Sequence, residues 1–213
     1  MKLTNKNNNY YQHQFNTKMT SLTPFQATDL FQLNSINLDT LTENFNIGFY
    51  FEYLTKWPSL FFKSEEIGSY NGVNNTQLSG YMMGKTEGNN DLWHTHITAV
   101  TINHYYRRIG LASYLCSNLE YITDSTPHET NFIDLFVKAN NHLAMNLYEK
   151  LGYSVFRRVV GYYGGEYEYP SDTSSINDNK DAFDMRKAMR RDEGKSIRSD
   201  GREHRVLPHE VTF

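Results

Sequence analysis

The sequence predicts one α/β domain, built as a mostly antiparallel sheet flanked by helices, and three observations predict it. The runs Leu60–Lys63 and Ser79–Lys85 are apolar and aromatic and are separated by a turn signal around Gly72, as in an antiparallel pair. The β-branched run His94–Ile102 leads through a polar turn into a helical apolar pattern. Strand and helix patterns then alternate as far as Met189. This mixture is typical of a sheet with helices packed on its faces.

The elements ahead of this sheet are expected to be short. Ser21–Gln26 has the composition of a first strand, and Thr28 and Asp29 are suitable caps for a following helix. Asn and Gly residues interrupt the apolar pattern of Leu41–Tyr53, which predicts a helix–loop–helix on the domain surface. Trp57-Pro58 is expected to end it, because the residue before a proline disfavours helical backbone.

The second half of the chain is expected to add strand–helix units to the sheet. The patterns predict, in order, a helix at Arg107–Thr123, a buried strand at Asn131–Lys138, a helix at Asn141–Leu151 with Gly152 after its end, a strand at Ser154–Tyr163, a polar loop at Gly164–Lys180 and a last strand at Ala182–Met189.

The composition limits the class of protein. With 213 residues, 38% of them hydrophobic, the chain is long enough for one domain with a substantial core. The net charge of -3 gives no global reason to expect nucleic-acid binding. The single cysteine, Cys116, excludes an internal disulfide and a multi-cysteine metal site, and its apolar surroundings favour a buried thiol over a nucleophile. No apolar run is long enough to cross a membrane, and residues 1–18 lack the apolar core of a secretory signal, so a cytoplasmic protein without membrane contact is expected.

Both ends of the chain differ in composition from the middle. Residues 1–18 contain three lysines, no acid and a cluster of asparagines, which favours a disordered extension before an alternative start at Met19. The folded domain is expected to span residues 19–189. Residues 190–213 are expected to form a basic, partly disordered tail, which would either contact ribosomal RNA or remain solvated.

One short pattern indicates an anion site. Arg107-x-x-Gly110-x-Ala112 stands between the strand His94–Ile102 and the helix after it. The first N–H groups of a helix have no internal partner and carry partial positive charge. Gly110 allows a phosphate to approach the backbone closely, and Ala112 is small. The pattern alone is weak, but its strand–turn–helix frame predicts a site for a pyrophosphate-containing cofactor.

These motifs resemble a known family. The Arg107–Ala112 pattern, followed by Asn141 and by Tyr148-Glu-Lys-Leu-Gly152-Tyr153, resembles the Gcn5-related N-acetyltransferase (GNAT) family. A wider set of motifs, spread from Met19 to about Pro208, is similar to the catalytic subunits of N-terminal acetyltransferase B (NatB) complexes. This set includes Trp57-Pro58, Gly80-Tyr-Met-Met-Gly-Lys85, Trp93-His94-x-His96, Asp134-Leu-Phe-Val137, Leu151-Gly-Tyr-Ser-Val155 and Asp184-Met-Arg-Lys187.

The resemblance implies the GNAT fold, acetyl-CoA as co-substrate and no metal. In GNAT folds the strands equivalent to His96–Ile102 and Asn131–Lys138 splay apart at one end, and the pantetheine arm lies in the wedge. The implied cofactor-binding residues are Val100 and Ile102 on the strand, Arg107, Arg108, Ile109, Gly110, Leu111 and Ala112 around the pyrophosphate, and Asn141 and Tyr148 farther along the chain.

The resemblance also implies a reaction and a peptide site. NatB enzymes acetylate the α-amine of chains that begin Met-Asp, Met-Glu, Met-Asn or Met-Gln. The implied catalytic residues are Tyr148 as proton donor to the leaving thiolate, Glu43 as partner or base for the α-amine, and Asn141. The implied substrate-binding residues are Glu43, Phe45, His96, Ala99, Tyr162 and Tyr163, with Tyr50 in the pocket for the first residue and His96 facing the second.

The chemistry of the reactants is consistent with direct transfer in a ternary complex. A free α-amine has a pKa of about 7.7–8.0, so part of it is neutral near pH 7 and a weak base acting through water suffices. A main-chain N–H near Val100 is expected to stabilise the developing oxyanion. Direct transfer needs no cysteine nucleophile.

The residues alone leave alternatives open. Tyr148 could be a core residue, and His94 and His96, two apart on a strand, could be a metal pair, although no third ligand of suitable spacing stands out. The chain could be a GNAT enzyme for lysine side chains or small amines, or a non-catalytic subunit that keeps the fold. The NatB resemblance instead implies a large helical-repeat auxiliary subunit, nascent polypeptide N-termini as substrates, and the ribosome as a partner through the complex. The Leu30–Tyr53 region, with many aromatics near the domain edge, is a reasonable docking face for that subunit.

Overall fold

The computed structural model describes residues 19–39, 42–70, 73–164, 170 and 172–211. Within these residues the framework is one eight-stranded sheet. Its strands are β1 Met19–Pro24, β2 Phe61–Tyr70, β3 Val73–Glu87, β4 His94–Ile102, β5 Phe132–Lys138, β6 Ser154–Val159, β7 Ala182–Ala188 and β8 Arg205–Val206. Their order across the sheet is β1-β2-β3-β4-β5-β7-β6-β8. The predicted α/β class with a mostly antiparallel sheet flanked by helices is confirmed.

The helices in the described residues are α1 Asn34–Asn37, α2 Ile47–Lys56, α3 Leu111–Thr123 and α4 His142–Lys150. The helix expected after Thr28 is a 3-10 turn followed by the short α1. Helix α2 begins where the Asn46 side chain accepts a hydrogen bond from the N–H of Phe49, and it ends at Lys56, directly before Trp57-Pro58, as predicted. Leu41, at the start of the expected helix–loop–helix, lies outside the described residues.

The front half of the sheet is antiparallel, with longer strands than the sequence indicated. β2 pairs with β3 over almost their whole lengths, and β3 pairs with β4. The expected turn residue Gly72 lies outside the described residues. A Cβ on Gly80 would meet the carbonyl oxygen of Thr101 at 2.8 Å, so only glycine allows β3 to approach β4 this closely there. A register shift beside Gly84 leaves Thr98 as the extra residue of a β-bulge in β4.

At the centre of the sheet, β4 and β5 form a short parallel contact. β4 pairs with β5 only through His94–Phe132, Thr95–Ile133 and His96–Asp134. Beyond these pairs, residues 97–102 and 135–138 diverge and form a wedge. This is the splayed arrangement that the GNAT resemblance implied.

Two apolar clusters pack on opposite faces of the sheet, because side chains alternate along each strand. The first cluster joins α3 and α4 to inward residues such as Leu115, Met145, Ile133 and Ile97. The second lies under α2 and contains Tyr50, Tyr53, Phe61, Tyr81 and Met83. The wedge therefore has a helical layer on each side.

Two predicted boundaries are wrong. Helix α3 begins at Leu111 rather than at Arg107, because Arg108 and Gly110 have left-handed backbone, with φ of 68° and 92°. The strand predicted to end at Tyr163 ends at Val159, because the chain turns at Gly161, whose φ is 71° and whose N–H donates to the buried carboxylate of Asp181.

The sheet continues beyond the strand that was expected to be its last. β8 pairs in parallel with β6, and the N–H groups of Arg158 and Val160 donate to His204 and Val206 at 2.8 and 3.0 Å. A Cβ on Gly201 would lie 1.8 Å from the carbonyl oxygen of Val155. Residues 190–211 of the expected tail therefore pack against the domain. No helix in the described residues is long and apolar enough to span a membrane.

Candidate active site

The apex of the wedge is formed by the last paired residues of β4 and β5. His96 and Asp134 face each other in register, and the Nδ1 of His96 lies 2.8 Å from Oδ1 of Asp134. Asp134 is fully buried, whereas 15% of the His96 side chain is exposed. A carboxylate only accepts hydrogen bonds, so Nδ1 of His96 is the protonated nitrogen of this pair. The other imidazole nitrogen is left for contacts beyond the pair.

His94 lies behind this pair and has a structural environment. Its ring is fully buried and stacks on Phe132 with centroids 4.7 Å apart. Its Nδ1 lies 2.7 Å from the carbonyl oxygen of Leu92, and its Nε2 lies 3.6 and 3.7 Å from oxygens of Asp134 and Glu87. Burial acts to lower the pKa of His94, but these acceptors raise it overall. The residues described contain no group of three His, Cys, Asp or Glu side chains that could hold a metal ion.

The turn after β4 presents backbone donors at one end of the wedge. The N-terminal N–H groups of α3 precede its first helical hydrogen bond, from Tyr114 to Gly110 at 3.0 Å. Left-handed backbone at Arg108 and Gly110 gives the turn alternating backbone conformations, a geometry that favours anion-binding concavities. Nothing lies within 4 Å of the position that a Cβ on Gly110 would occupy, so the backbone is open to a ligand.

The Arg107 side chain turns back onto the protein rather than outward. Its Nε donates to the carbonyl oxygen of Ile102 at 3.0 Å, and its Nη2 donates to Asp39 at 3.0 Å. The guanidinium therefore holds the end of β4 against the segment after α1. Of the predicted phosphate-site residues, Arg108, Ile109 and Gly110 are exposed, and Leu111 is buried.

Helix α4 buries Tyr148 but leaves Asn141 exposed at its start. Tyr148 lies in the apolar cluster against Tyr153, with rings 5.6 Å apart, and burial raises the pKa of its hydroxyl. Asn141 is exposed and caps the helix, because its Oδ1 accepts from the N–H of Ala144 at 3.1 Å. Their catalytic roles stay predictions.

An aromatic row leads from the apex towards the loop after β6. Phe136, two residues beyond Asp134 on the same face of β5, has its ring 5.8 Å from that of His96 and stacks on Tyr162 at 4.7 Å. Tyr162 and Tyr163 meet edge to face at 5.0 Å. Burial raises the pKa of both tyrosines, and the negative charge of Glu43 adds to the shift. Sequence reasoning missed Phe136, although its two-residue spacing from Asp134 was a usable signal.

The residues expected to hold the first residue of the peptide only partly come together. Phe45 meets Tyr50 edge to face at 5.8 Å, and Phe45 and Ala99 pack against the cluster under α2 that contains Tyr50. Tyr163 belongs instead to the aromatic row. Tyr53, which sequence reasoning passed over, shares a 2.7 Å hydrogen bond with the hydroxyl of the bulge residue Thr98.

Cys116 is fully buried within α3. Burial raises the pKa of its thiol to about 12. Such a thiol is almost entirely protonated near neutral pH. The expected role of Cys116 as a core residue is confirmed, and the described residues offer the site no cysteine nucleophile.

A mixed sheet that opens between two parallel strands, beside a left-handed turn and a helix N-terminus, is the arrangement that the resemblance to GNAT acetyltransferases implied. The family model for the acetyltransferase (GNAT) family matches residues 31–153. The chain is 60% identical to the N-terminal acetyltransferase B complex catalytic subunit NAT3 of Saccharomyces cerevisiae, over 92% of this chain and 100% of that protein. It is 45% identical to the corresponding Schizosaccharomyces pombe subunit naa20, over the same fractions.

Comparison with solved structures indicates the same relationship. A chain of the NatB acetyltransferase complex bound to a bisubstrate inhibitor superposes with a TM-score of 0.76 at 55% identity, covering 91% of this chain and 99% of that one. Chaetomium thermophilum Naa20 with a bisubstrate analogue gives a TM-score of 0.74 at 39% identity, covering 91% and 100%. The chain belongs to the GNAT acetyltransferase family and, within it, to the catalytic subunits of N-terminal acetyltransferase B.

Proposed function

We propose that the chain transfers the acetyl group of acetyl-CoA to the α-amine of nascent chains that begin Met-Asp, Met-Glu, Met-Asn or Met-Gln. The observation that carries the proposal is the separation of β4 from β5 directly after His96 and Asp134. The wedge lies next to the helix-N-terminal turn on one side and the aromatic row on the other. Two substrates can therefore meet in it, which suits direct transfer in a ternary complex.

The turn at residues 107–112 fits the pyrophosphate of acetyl-CoA. Open backbone at Gly110, left-handed conformations and the N-terminus of α3 supply N–H donors and partial positive charge. The residues proposed to bind the cofactor are Val100, Ile102, Arg107, Arg108, Ile109, Gly110, Leu111, Ala112, Asn141 and Tyr148. For Arg107 we propose main-chain contact, because its side chain is engaged with Ile102 and Asp39.

Proton transfer is assigned to Tyr148 and Glu43. Acetyl-CoA supplies the acetyl group and leaves as a thiolate, which needs a proton. Tyr148 stays protonated near neutral pH, because burial raises its pKa, so it is available as the donor. For Glu43, an exposed carboxylate whose charge adds to the raised pKa of Tyr162 and Tyr163, we propose binding of the α-amine or removal of its proton through water. Asn141 contributes by fixing the start of α4.

Peptide recognition is assigned to the opposite face of the sheet from α3 and α4. Phe45, Tyr50 and Ala99 are proposed to contact the first residue, and His96 the side chain of the second. Tyr162 and Tyr163 would cover the peptide backbone, since they extend the aromatic row that begins at His96.

We further propose that the region Leu30–Tyr53 carries the docking face for a large helical-repeat auxiliary subunit. Four apolar side chains stand out from this region: Phe31, Leu38, Ile47 and Phe51 are 87%, 83%, 64% and 44% exposed. The matched S. cerevisiae protein is named as a subunit of a complex. In that assembly the enzyme would work in the cytoplasm, at the ribosome, on emerging chains. Residues 1–18 would be an extension ahead of the functional start at Met19.

A panel of peptides with free N-termini, assayed with the chain co-expressed with its auxiliary subunit, tests the proposal. We expect kcat/KM to be highest for peptides that begin Met-Asp, Met-Glu, Met-Asn or Met-Gln, with the acetyl group located on the α-amine by mass spectrometry. Equal rates on peptides that begin Ser or Met-Leu would refute the substrate assignment. Acetylation of lysine ε-amines instead would identify a side-chain acetyltransferase.

A further inference from the structure

The reaction proposed above makes no use of the buried carboxylate at the apex of the wedge. Asp134 is fully buried, and its Oδ1 lies 2.8 Å from Nδ1 of His96 and 3.6 Å from Nε2 of His94. Asp134 is also the register partner of His96 in the last pair between β4 and β5. Strand pairing and a side-chain hydrogen bond therefore fix the same two residues, and the His96 ring has little freedom to turn.

We propose that Asp134 is a positioning residue that fixes Nδ1 of His96 as a donor and leaves Nε2 for the peptide, and that the charge on His96 sets the preference between acidic and amide second residues. The inference rests on the proposed function, in which His96 meets the side chain of the second residue. It adds a residue and a mechanism of discrimination to that site.

Hydrogen-bond chemistry gives the reason. Because Nδ1–H of His96 is committed to Asp134, only Nε2 can serve the peptide, and Nε2 donates in the imidazolium but accepts in the neutral ring. The carboxylate of Asp or Glu only accepts, so it needs the imidazolium. The carboxamide of Asn or Gln carries both a donor and an acceptor, so it can pair with either form. Loss of the His96 charge therefore penalises acidic peptides selectively.

Among the charged groups that surround His96, Asp134 is the nearest carboxylate. The charged and titratable groups around His96 come from four strands and the loop after β6: Lys85 and Glu87 on β3, His94 on β4, Asp134 on β5, Asp184 and Arg186 on β7, and Tyr162. Burial acts to raise the pKa of Glu87, but the nearby imidazole of His94 and the hydrogen bond from Lys85 lower it to about 2. The charge of Glu87 is therefore balanced by those two partners.

The first test uses the unmodified complex and two peptides that differ only in Asp or Asn at the second position. The α-amine is common to both peptides, so its ionisation cancels in the ratio of their kcat/KM values. The Asp side chain, with an ordinary pKa of about 3.9, stays ionised throughout. Raising the pH from 6 to 9 is expected to lower the Asp-to-Asn ratio by about tenfold, the size expected for a hydrogen bond to a charged group. A ratio that is constant with pH would overturn the inference.

The second test is Asp134→Asn, with Asp184→Asn as its matched control. Asp184 is equally buried on the adjacent strand β7, but it binds Arg157 and Arg186. For Asp134→Asn we expect kcat/KM on the Asp peptide to fall by about tenfold, mainly through KM, with less than a threefold change on the Asn peptide. Asp184→Asn should leave the ratio unchanged, and a His96→Gln background should abolish the selective effect of Asp134→Asn.

The outcomes separate the inference from the proposed function. Equal losses on both peptides with Asp134→Asn would indicate a merely structural role for Asp134 and would overturn the inference alone. If Asp134→Asn does not fold, the pH dependence of the unmodified complex decides. If neither peptide is preferred over one that begins Met-Leu, the proposed function fails and the inference falls with it.

Discussion

Two neighbouring tyrosines near the end of α4 have hydroxyls in different settings. Tyr148 is the proposed proton donor, whereas the Tyr153 hydroxyl is fully buried and has no hydrogen-bond partner among the described residues. Their rings meet edge to face at 5.6 Å, so substitutions at either site are tested in nearly the same packing environment. This pair offers a contrast between a hydroxyl proposed to donate a proton in the reaction and one with no proposed role in it.

Tyr148→Phe is expected to lower kcat by about 100-fold, the usual size of a general-acid contribution, while KM for acetyl-CoA changes little. Tyr153→Phe serves as the control. It should keep activity and leave the free energy of unfolding unchanged or higher by about 1 kcal/mol, since it removes a buried hydroxyl without a partner. Steady-state kinetics and chemical denaturation measure both variants. A near-normal kcat for Tyr148→Phe would mean that Tyr148 only packs in the core and does not donate the proton.

The lowered pKa of Glu87 predicts how the stability of the folded chain depends on pH. Its folded-state pKa of about 2 lies below its ordinary value of 4.5, so the ionised form favours the native state. That contribution is present above about pH 4.5 and is lost as the pH falls through about 2. Glu87→Gln should therefore be less stable than the unmodified chain at pH 7, and the two should converge towards pH 2. Urea denaturation at several pH values checks this, and a difference independent of pH would contradict it.

At the level of elements, the turn before α3 combines a strained backbone with a proposed role in binding the pyrophosphate of the cofactor. Gly110 has a φ of 92°, which costs an L-residue about 1–2 kcal/mol, while the space around its Cβ position is open. Gly194, in the C-terminal segment, has a φ of 85° and equally open space. The two glycines therefore have the same backbone requirement, and only one of them lies in the proposed phosphate site.

Gly110→Ala and Gly194→Ala are each expected to lower the free energy of unfolding by about 1–2 kcal/mol. Only Gly110→Ala should raise KM for acetyl-CoA, by about tenfold, because a methyl group and a shifted backbone disturb the N–H donors. Steady-state kinetics with acetyl-CoA, together with chemical denaturation, measures both effects. Equal KM values for the two variants would remove Gly110 from the phosphate site.

For the whole molecule, the C-terminal segment completes the sheet. Residues 190–211 add β8 beside β6 and bring Gly201 against the backbone of Val155. The sequence predicted a basic, partly disordered tail here, because this segment is highly charged and poor in aliphatic residues. The charges are exposed while the backbone carries the pairing, so composition alone did not indicate a strand.

Ending the chain after Met189 should lower Tm by several degrees, because it removes the hydrogen-bonded partner of β6. Gly201→Ala should lower the free energy of unfolding by about 1–3 kcal/mol, since its Cβ would overlap the carbonyl oxygen of Val155. Differential scanning calorimetry measures both variants. An unchanged Tm after truncation would mean that the segment contributes nothing to stability and would support the disordered tail.

The sequence by itself determined the class of fold, the order of most elements and the family. Strand β4 was predicted residue for residue, because its β-branched run is bounded by Trp93 and by the polar residues from Asn103 onward. The left-handed Gly152 after α4 is a local effect that composition signals well, and the buried Cys116 follows from its apolar neighbours. The GNAT and NatB assignments rested on motifs, which are strings of neighbouring residues.

Only the tertiary structure decided which distant residues meet. The pairing of His96 with Asp134, the inward turn of Arg107 onto Ile102 and Asp39, and the stacking of Phe136 on Tyr162 join residues far apart in the chain. Such contacts depend on register and strand order, which hydrophobic patterns do not encode, because those patterns report only the face on which a residue lies. The wedge is the clearest case: both strands were predictable, but the residue at which they part was not.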